Sequence, residues 1–254
     1  MDVDKLIGEL YDKLQHQFLG KYRGIVVDNV DPERLGRLKV HVPSVLGADV
    51  VTGWALPCLP FGGAAGQGSL WIPEIGAGVW IEFEEGHVHY PVWVGTFWSK
   101  PDGENEVPLP VDADGETGEV VDPPTRRILS TLKSHSLQFE DADGDEMVLL
   151  YDGANRHRIV MNADGIKIVD GVQGHEIVMD ADGIRVTDGV NAGNELLLNS
   201  DGVTLADANG HKLALDSDGV TLESAGDVTI KGTNVTIEAD AQLTAKGNPV
   251  HLNP

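Results

Sequence analysis

The residues of this chain best suited to chemistry are its nine histidines, its single cysteine and a series of Asp-Gly pairs, and their spacing decides what each could do. His87 and His89 form a His-x-His pair in a turn. A zinc ion there would need a third ligand, which the neighbouring sequence does not supply. His157, His175 and His211 occupy equivalent positions in a repeat, in phase with apolar residues. Such histidines either line an axis with water or anions or stand as corner residues at strand starts. His251 is the candidate for an axial metal ion at a tip, because three imidazoles from three copies could hold one facially. Its neighbours Val250 and Leu252 form the inward-facing pair, however, which turns His251 outward. The Asp-Gly pairs at 164/165, 182/183, 201/202 and 218/219 invite a calcium reading. They lack the Gly-Gly-x-Gly-x-Asp run of calcium-binding rolls, and ordinary turn chemistry accounts for them. No nucleophile elbow, zinc-protease helix or phosphate loop is present, so no catalytic residue is assigned and the chain is expected not to be an enzyme. The same reading expects no cofactor beyond a possible axial metal at the tip.

Charge narrows the partners. Lys and Arg total 18 against 41 Asp and Glu, a formal net charge of -23 over 254 residues. So acidic a chain is repelled by nucleic-acid phosphates and anionic headgroups, which argues against a nucleic-acid partner. Hydrophobic residues make up 41%, enough to pack a core rather than remain disordered. The lone Cys58 cannot form an intramolecular disulfide, so burial and assembly must supply stability. No apolar run approaches the roughly 20 residues that span a bilayer. The first 20 residues lack a basic leader followed by an apolar core, so no signal peptide is expected. Synthesis in the cytoplasm follows, with any export left to a machine the chain belongs to.

Four segments must position these residues. Leu6, Ile7, Leu10, Leu14 and Phe18 recur at helical spacing and predict a short amphipathic helix over residues 4–19, within an N-terminal segment 1–20. Residues 21–98 read as short β-branched and aromatic strands punctuated by Asp31-Pro32, Pro43, Pro73 and Gly86. That pattern fits a small closed barrel of the oligonucleotide/oligosaccharide-binding (OB) type. Trp54, Trp71, Trp80, Trp93 and Trp98 fall within it, as core or subunit-contact residues rather than a stacking platform. Residues 99–124 have the Pro, Gly and Asp composition of a linker. The remainder, 125–254, repeats. His157–Gly171 recurs as His175–Gly189, then from Asn194 and from His211, with the Asp-Gly pairs 18, 19 and 17 residues apart.

Within each repeat the apolar residues alternate. The pairs are Ile159/Met161, Ile166/Ile168, Ile177/Met179, Ile184/Val186, Leu196/Leu198, Val203/Leu205, Leu213/Leu215 and Val220/Leu222. Beyond Asp227 they continue at shorter spacing as Val228/Ile230, Val235/Ile237, Leu243/Ala245 and Val250/Leu252. Period two means strands with one apolar face and one wet face. A half-repeat of about nine residues allows one strand and one bend, not a closed coil. The economical solution is three identical chains wound together as a triangular prism, with these pairs as the trimer core. The predicted fold class is therefore all-β: an N-terminal short helix and OB-fold barrel, then a C-terminal intertwined triple-stranded β-helix in a homotrimer. From His157 onward 15 acidic residues face 6 basic ones, a composition suited to a hydrophilic outer surface.

Specific stretches also resemble a known family. Tyr22-Arg-Gly-Ile-Val-Val-Asp through Leu35-Gly-Arg-Leu-Lys-Val-His-Val-Pro43, Pro73-Glu-Ile-Gly-Ala-Gly-Val-Trp-Ile-Glu-Phe83 and Pro91-Val-Trp-Val-Gly95 resemble the barrel of phage baseplate assembly protein V. Arg127–Gly144 and the terminal repeats are similar to the spike portion of that family and of type VI valine-glycine repeat proteins, with Ser134 where a glycine is usual. The resemblance implies a homotrimeric central spike in the baseplate of a virion tail or injection particle. It would be mounted under the tail tube through hub or tube proteins at the N-terminal helix and barrel, and would puncture the target cell envelope on sheath contraction. It also implies two departures. Residues 99–124 leave no room for the lysozyme domain of some relatives, and a lone His251 replaces the His-x-His iron site of others, so a small tip-capping protein could take that place. A β-helical polysaccharide depolymerase and a glycan- or oligonucleotide-binding OB module are the alternatives.

Overall fold

The computed structural model describes residues 7–8, 17–191 and 193–251. The chain divides into two compact units, Met1–Val107 and Pro108–Pro254. Apart from Ile7 and Gly8, the helix expected over 4–19 lies outside the described residues up to Gln17. Phe18, the last apolar residue of that stripe, is not helical. It packs edge-on to Tyr22 and against Phe83.

The first unit is a curled five-stranded sheet of β1 (Tyr22–Asp28), β2 (Lys39–His41), β3 (Leu56–Pro57), β4 (Gly78–Phe83) and β5 (Pro91–Thr96), in the order β2-β1-β4-β5-β3. Its pairings are antiparallel except β3 with β5. Alternation is strict in β4, where Val79, Ile81 and Phe83 point into the core. They meet Val26, Leu38, Val40, Val42, Ala55 and Trp93 there. The tryptophans divide. Trp93 is buried and donates its indole N–H to Gly36 O at 3.0 Å. Trp54 lies under Arg37 and Lys39, Trp80 lies against Phe97 and under Arg23, and Trp71 and Trp98 are exposed.

The Asp31-Pro32…Leu35-Gly36-Arg37 stretch has a clear physical reason. The Asp31 carboxylate accepts from the backbone N–H groups of Glu33, Leu35 and Arg37 and from the Arg37 guanidinium at 2.7 Å. The guanidinium beside it, helped by those amides, holds the carboxyl far below the usual range. Gly36 closes the loop at φ +75°, and a side chain there would press on Ile72.

The second unit is an antiparallel meander of eleven five-residue strands in sequence order. These are β6 (Arg126–Ser130), β7 (Ser136–Glu140), β8 (Met147–Tyr151), β9 (Arg158–Asn162), β10 (Gly165–Val169), β11 (Glu176–Asp180), β12 (Gly183–Thr187), β13 (Glu195–Asn199), β14 (Gly202–Ala206), β15 (Lys212–Asp216) and β16 (Gly219–Glu223). All their backbone pairing lies within one chain. Part of the stretch with linker composition belongs to this unit. Residues 109–118 lie on β7–β9, with Val111 buried against Met147, Leu149, Tyr151 and Val160. The buried Gln138 accepts from Val111 N–H at 3.0 Å, while Arg126 and Arg158 donate to the carbonyls of Val111 and Ala113.

Candidate assembly surface

Strand register puts the alternating apolar residues on one face. Ile159 faces Ile168 and Met161 faces Ile166; Ile177 then faces both Ile168 and Val186, and Met179 faces Ile166 and Ile184. Leu196 and Leu198 continue to Val203 and Leu205, then Leu213 and Leu215, then Val220 and Leu222. A one-residue slip would send every one of these side chains to the other face, so the register is strongly specified. In one chain this face lacks a cover. Met161 and Ile184 are each 41% exposed, and Val220 at the far end is 72% exposed. Ile159, Met179, Leu196 and Leu213 are half-buried by their neighbours. Val228, Ile230, Val235, Ile237, Leu243 and Val250 are exposed on a segment without strand partners, and Leu252 lies outside the described residues.

The face begins earlier than the repeat suggests. Leu129 faces Leu137, Phe139 faces Val148, and Leu150 and Val148 face Ile159 and Met161. Leu129, Phe139 and Leu150 are exposed as well. Their alternation is present in the sequence, but no Asp-Gly pair or histidine marks it as part of the series. The opposite face beyond β9 carries charged pairs set among Val178, Leu197 and Ala214. Lys167 pairs with Glu176 at 2.8 Å and Arg185 with Glu195 at 3.2 Å.

Two kinds of connection frame this surface. At one edge, the tight turns are held by the residue two before each aspartate. Asn162, Asp180, Asn199 and Asp216 accept, through Oδ1, the backbone N–H of Asp164, Asp182, Asp201 and Asp218 at 2.8–3.0 Å. The following glycines, 165, 183 and 202, have φ between +133° and +138°. Their missing side chains leave room for the carbonyls of Met179, Leu198 and Leu215.

At the other edge, each loop is stitched to the next. His157 Nδ1 accepts from Gly171 N–H and His175 Nδ1 from Gly189 N–H, both at 3.1 Å, and Asn194 Oδ1 accepts from Ala208 N–H at 3.0 Å. His211 Nδ1 meets Ser224 Oγ at 2.9 Å. Asp152, Asp170, Asp188 and Asp207 cap the same loops through the amide two residues on. Amides from Val172, with His157 and His175 nearby, depress Asp170. Asn191, the Val190 amide and Asn194 bring Asp188 down to about 2. The repeat histidines thus sit in the loops just ahead of β9, β11 and β15, where they tie one loop to the next.

The remaining candidate residues are scattered. His87, His89 and His251 are exposed, as is Cys58. Among the described residues no three His, Cys, Asp or Glu side chains are grouped to hold a metal ion, and no helix is long and apolar enough to cross a membrane. On the barrel, Phe61, Leu70 and Trp71 project from a glycine-rich loop, and Tyr90 and Trp98 are also exposed.

A search of curated proteins finds no match for the chain. Residues 22–98 match the family model described as the type VI secretion system/phage-baseplate injector OB domain. They coincide with the five-stranded curled sheet and with the Asp31–Arg37 loop, so residues 22–98 form an OB domain of the baseplate-injector type within an all-β chain.

Proposed function

We propose that three copies of this chain form the central spike of a contractile tail or injection apparatus. The observation that carries this reading is the uncovered apolar face running from Leu129 to Leu222, in the same chain as an injector OB domain. Burying a Leu or Ile side chain is worth about 1.5–3 kcal/mol, so a face of this size strongly favours association. Three faces meeting on an axis bury it and leave the Lys167–Glu176 and Arg185–Glu195 face in water. The role is mechanical: the barrel docks on hub or tail-tube proteins, and the spike is driven through the target envelope. The exposed Phe61, Leu70 and Trp71 are suited to the hub contact. A separate protein capping the distal end completes the assembly. Light scattering on the purified chain tests the reading directly. The expected mass is three times 27.2 kDa, and a stable 27.2-kDa monomer would overturn it.

A further inference from the structure

The two edges of the meander carry different chemistry. The tight turns at one edge each present an exposed aspartate: Asp164, Asp182, Asp201 and Asp218. Their backbone amides are capped, but among the described residues no donor reaches their carboxylates. The loops at the other edge hold the complementary group. Nδ1 of His157 and of His175 accepts an amide, so the proton of the neutral ring sits on Nε2. A second proton would go to Nδ1, beside Asp170 Oδ1 at 3.0 Å or Asp188 Oδ1 at 3.1 Å, and would leave the Nε2–H unchanged. Both rings are exposed, and among the described residues no acceptor stands within hydrogen-bond distance of either Nε2. Asp170 Oδ2, at 4.0 Å from His175 Nε2, is too far. One edge thus offers acceptors and the other donors.

The apolar face is two residues wide from β7 to β16. At about 4.8 Å between strands it runs about 43 Å across the meander, against about 17 Å along a five-residue strand. Three such faces close on one another only around an axis that runs the long way, across the strands. Each sheet then meets a neighbour at both of its edges. Rotation about a threefold axis carries loop edge onto loop edge and turn edge onto turn edge. Like edges therefore never share a corner, and each corner joins the loops of one copy to the turns of the next. Connections in a meander alternate sides, so each loop is offset by one strand from the turns above and below it. The loop Asp170–His175, between β10 and β11, is level with the gap between the turns at Asp164 and Asp182. We propose that the loop edge of one copy meshes with the turn edge of the next, each loop seated between two turns. The Nε2–H groups of His157 and His175 then face the neighbour's turn aspartates. This rests on the threefold assembly proposed above. An exposed contact of this kind adds little stability, so it selects which turn each loop meets more than how tightly the copies hold.

The test uses the full chain with Cys58→Ser and a pair of cysteines at exposed positions, Gln173→Cys with either Ala163→Cys or Ala181→Cys. Within one chain the two thiols of either pair lie at opposite ends of a strand, β10 or β11, at least about 17 Å apart. A bis-maleimide shorter than that strand can join them only between copies. On a denaturing gel, at least one of the two pairs should run mostly as a three-chain band. Each single-cysteine chain should run as one chain, because like positions stand at different corners. A two-chain band from a single-cysteine chain would put like edges in contact and overturn the proposal. One-chain bands from both pairs, in a sample that light scattering shows to be trimeric, would overturn it while leaving the spike reading intact. A monomer by light scattering overturns both.

Discussion

At the residue scale, the loop histidines are best understood through the one repeat that lacks them. Asn194 stands where His157 and His175 stand, and its Oδ1 accepts the same amide fourteen residues on. What the position needs is an acceptor, not an imidazole. His175→Asn should therefore leave thermal stability close to that of the parent. His175→Leu strands the Gly189 N–H and should cost about 1 kcal/mol. Differential scanning calorimetry of the two variants checks this, and equal losses in both would count against it. The turn glycines make the complementary case. Gly183 combines a positive φ with the Leu198 carbonyl in the place of a side chain. Gly183→Ala should destabilise by about 1–3 kcal/mol, read from the same scans.

At the element scale, period two and the Asp-Gly pairs made β9 to β16 readable from sequence, because an alternating apolar pair recurs in each strand. Less was legible below them. Leu129, Leu137, Phe139, Val148 and Leu150 alternate in the same way, but their connections do not share the repeat, so nothing in sequence joined them to the series. The strap at 109–118 was hidden for a different reason. Pro, Gly and Asp are equally at home in a free linker and in a packed irregular segment. Only the tertiary partners of Val111, namely Gln138, Arg126 and the aliphatic cluster, separate the two. Direction was also illegible: alternating pairs fit strands paired within a chain as well as strands shared between chains. The strap carries a prediction of its own. Val111→Asn puts an amide into a site 5% exposed, and should cost about 2 kcal/mol. The loss should appear in hydrogen exchange as faster opening of β7–β9, while the amides of β13–β15 keep their protection.

At the scale of the whole molecule, two electrostatic effects oppose each other as pH falls. The formal charge of -23 per chain makes bringing copies together costly at neutral pH. Ordinary carboxylates take up protons near pH 4, which relieves that repulsion. A smaller set works in the opposite direction. Burial would push Glu140 up, but Arg126, the Ala142 amide and the nearby Thr125 hydroxyl, which falls short of full hydrogen-bond geometry, bring it down to about 2. Asp188 is held at about 2 by Asn191, Val190 and Asn194, and Asp152, Asp170 and Asp207 are lowered as well. A carboxylate with a folded pKa below its unfolded value of about 4 lends stability that is complete above pH 4 and is lost as pH falls through the folded value. The melting temperature of the assembled protein should therefore hold or rise between pH 7 and about 4.5, where only repulsion is being relieved. It should then fall steeply toward pH 2, as the loop caps and the Glu140–Arg126 pair are protonated apart. Adding 0.1 M salt shortens the screening length to about 10 Å and should flatten the first part of this profile while leaving the acid fall in place. A melting temperature that declines steadily from pH 7 to 4.5 at low salt would mean that repulsion between copies is not the governing term.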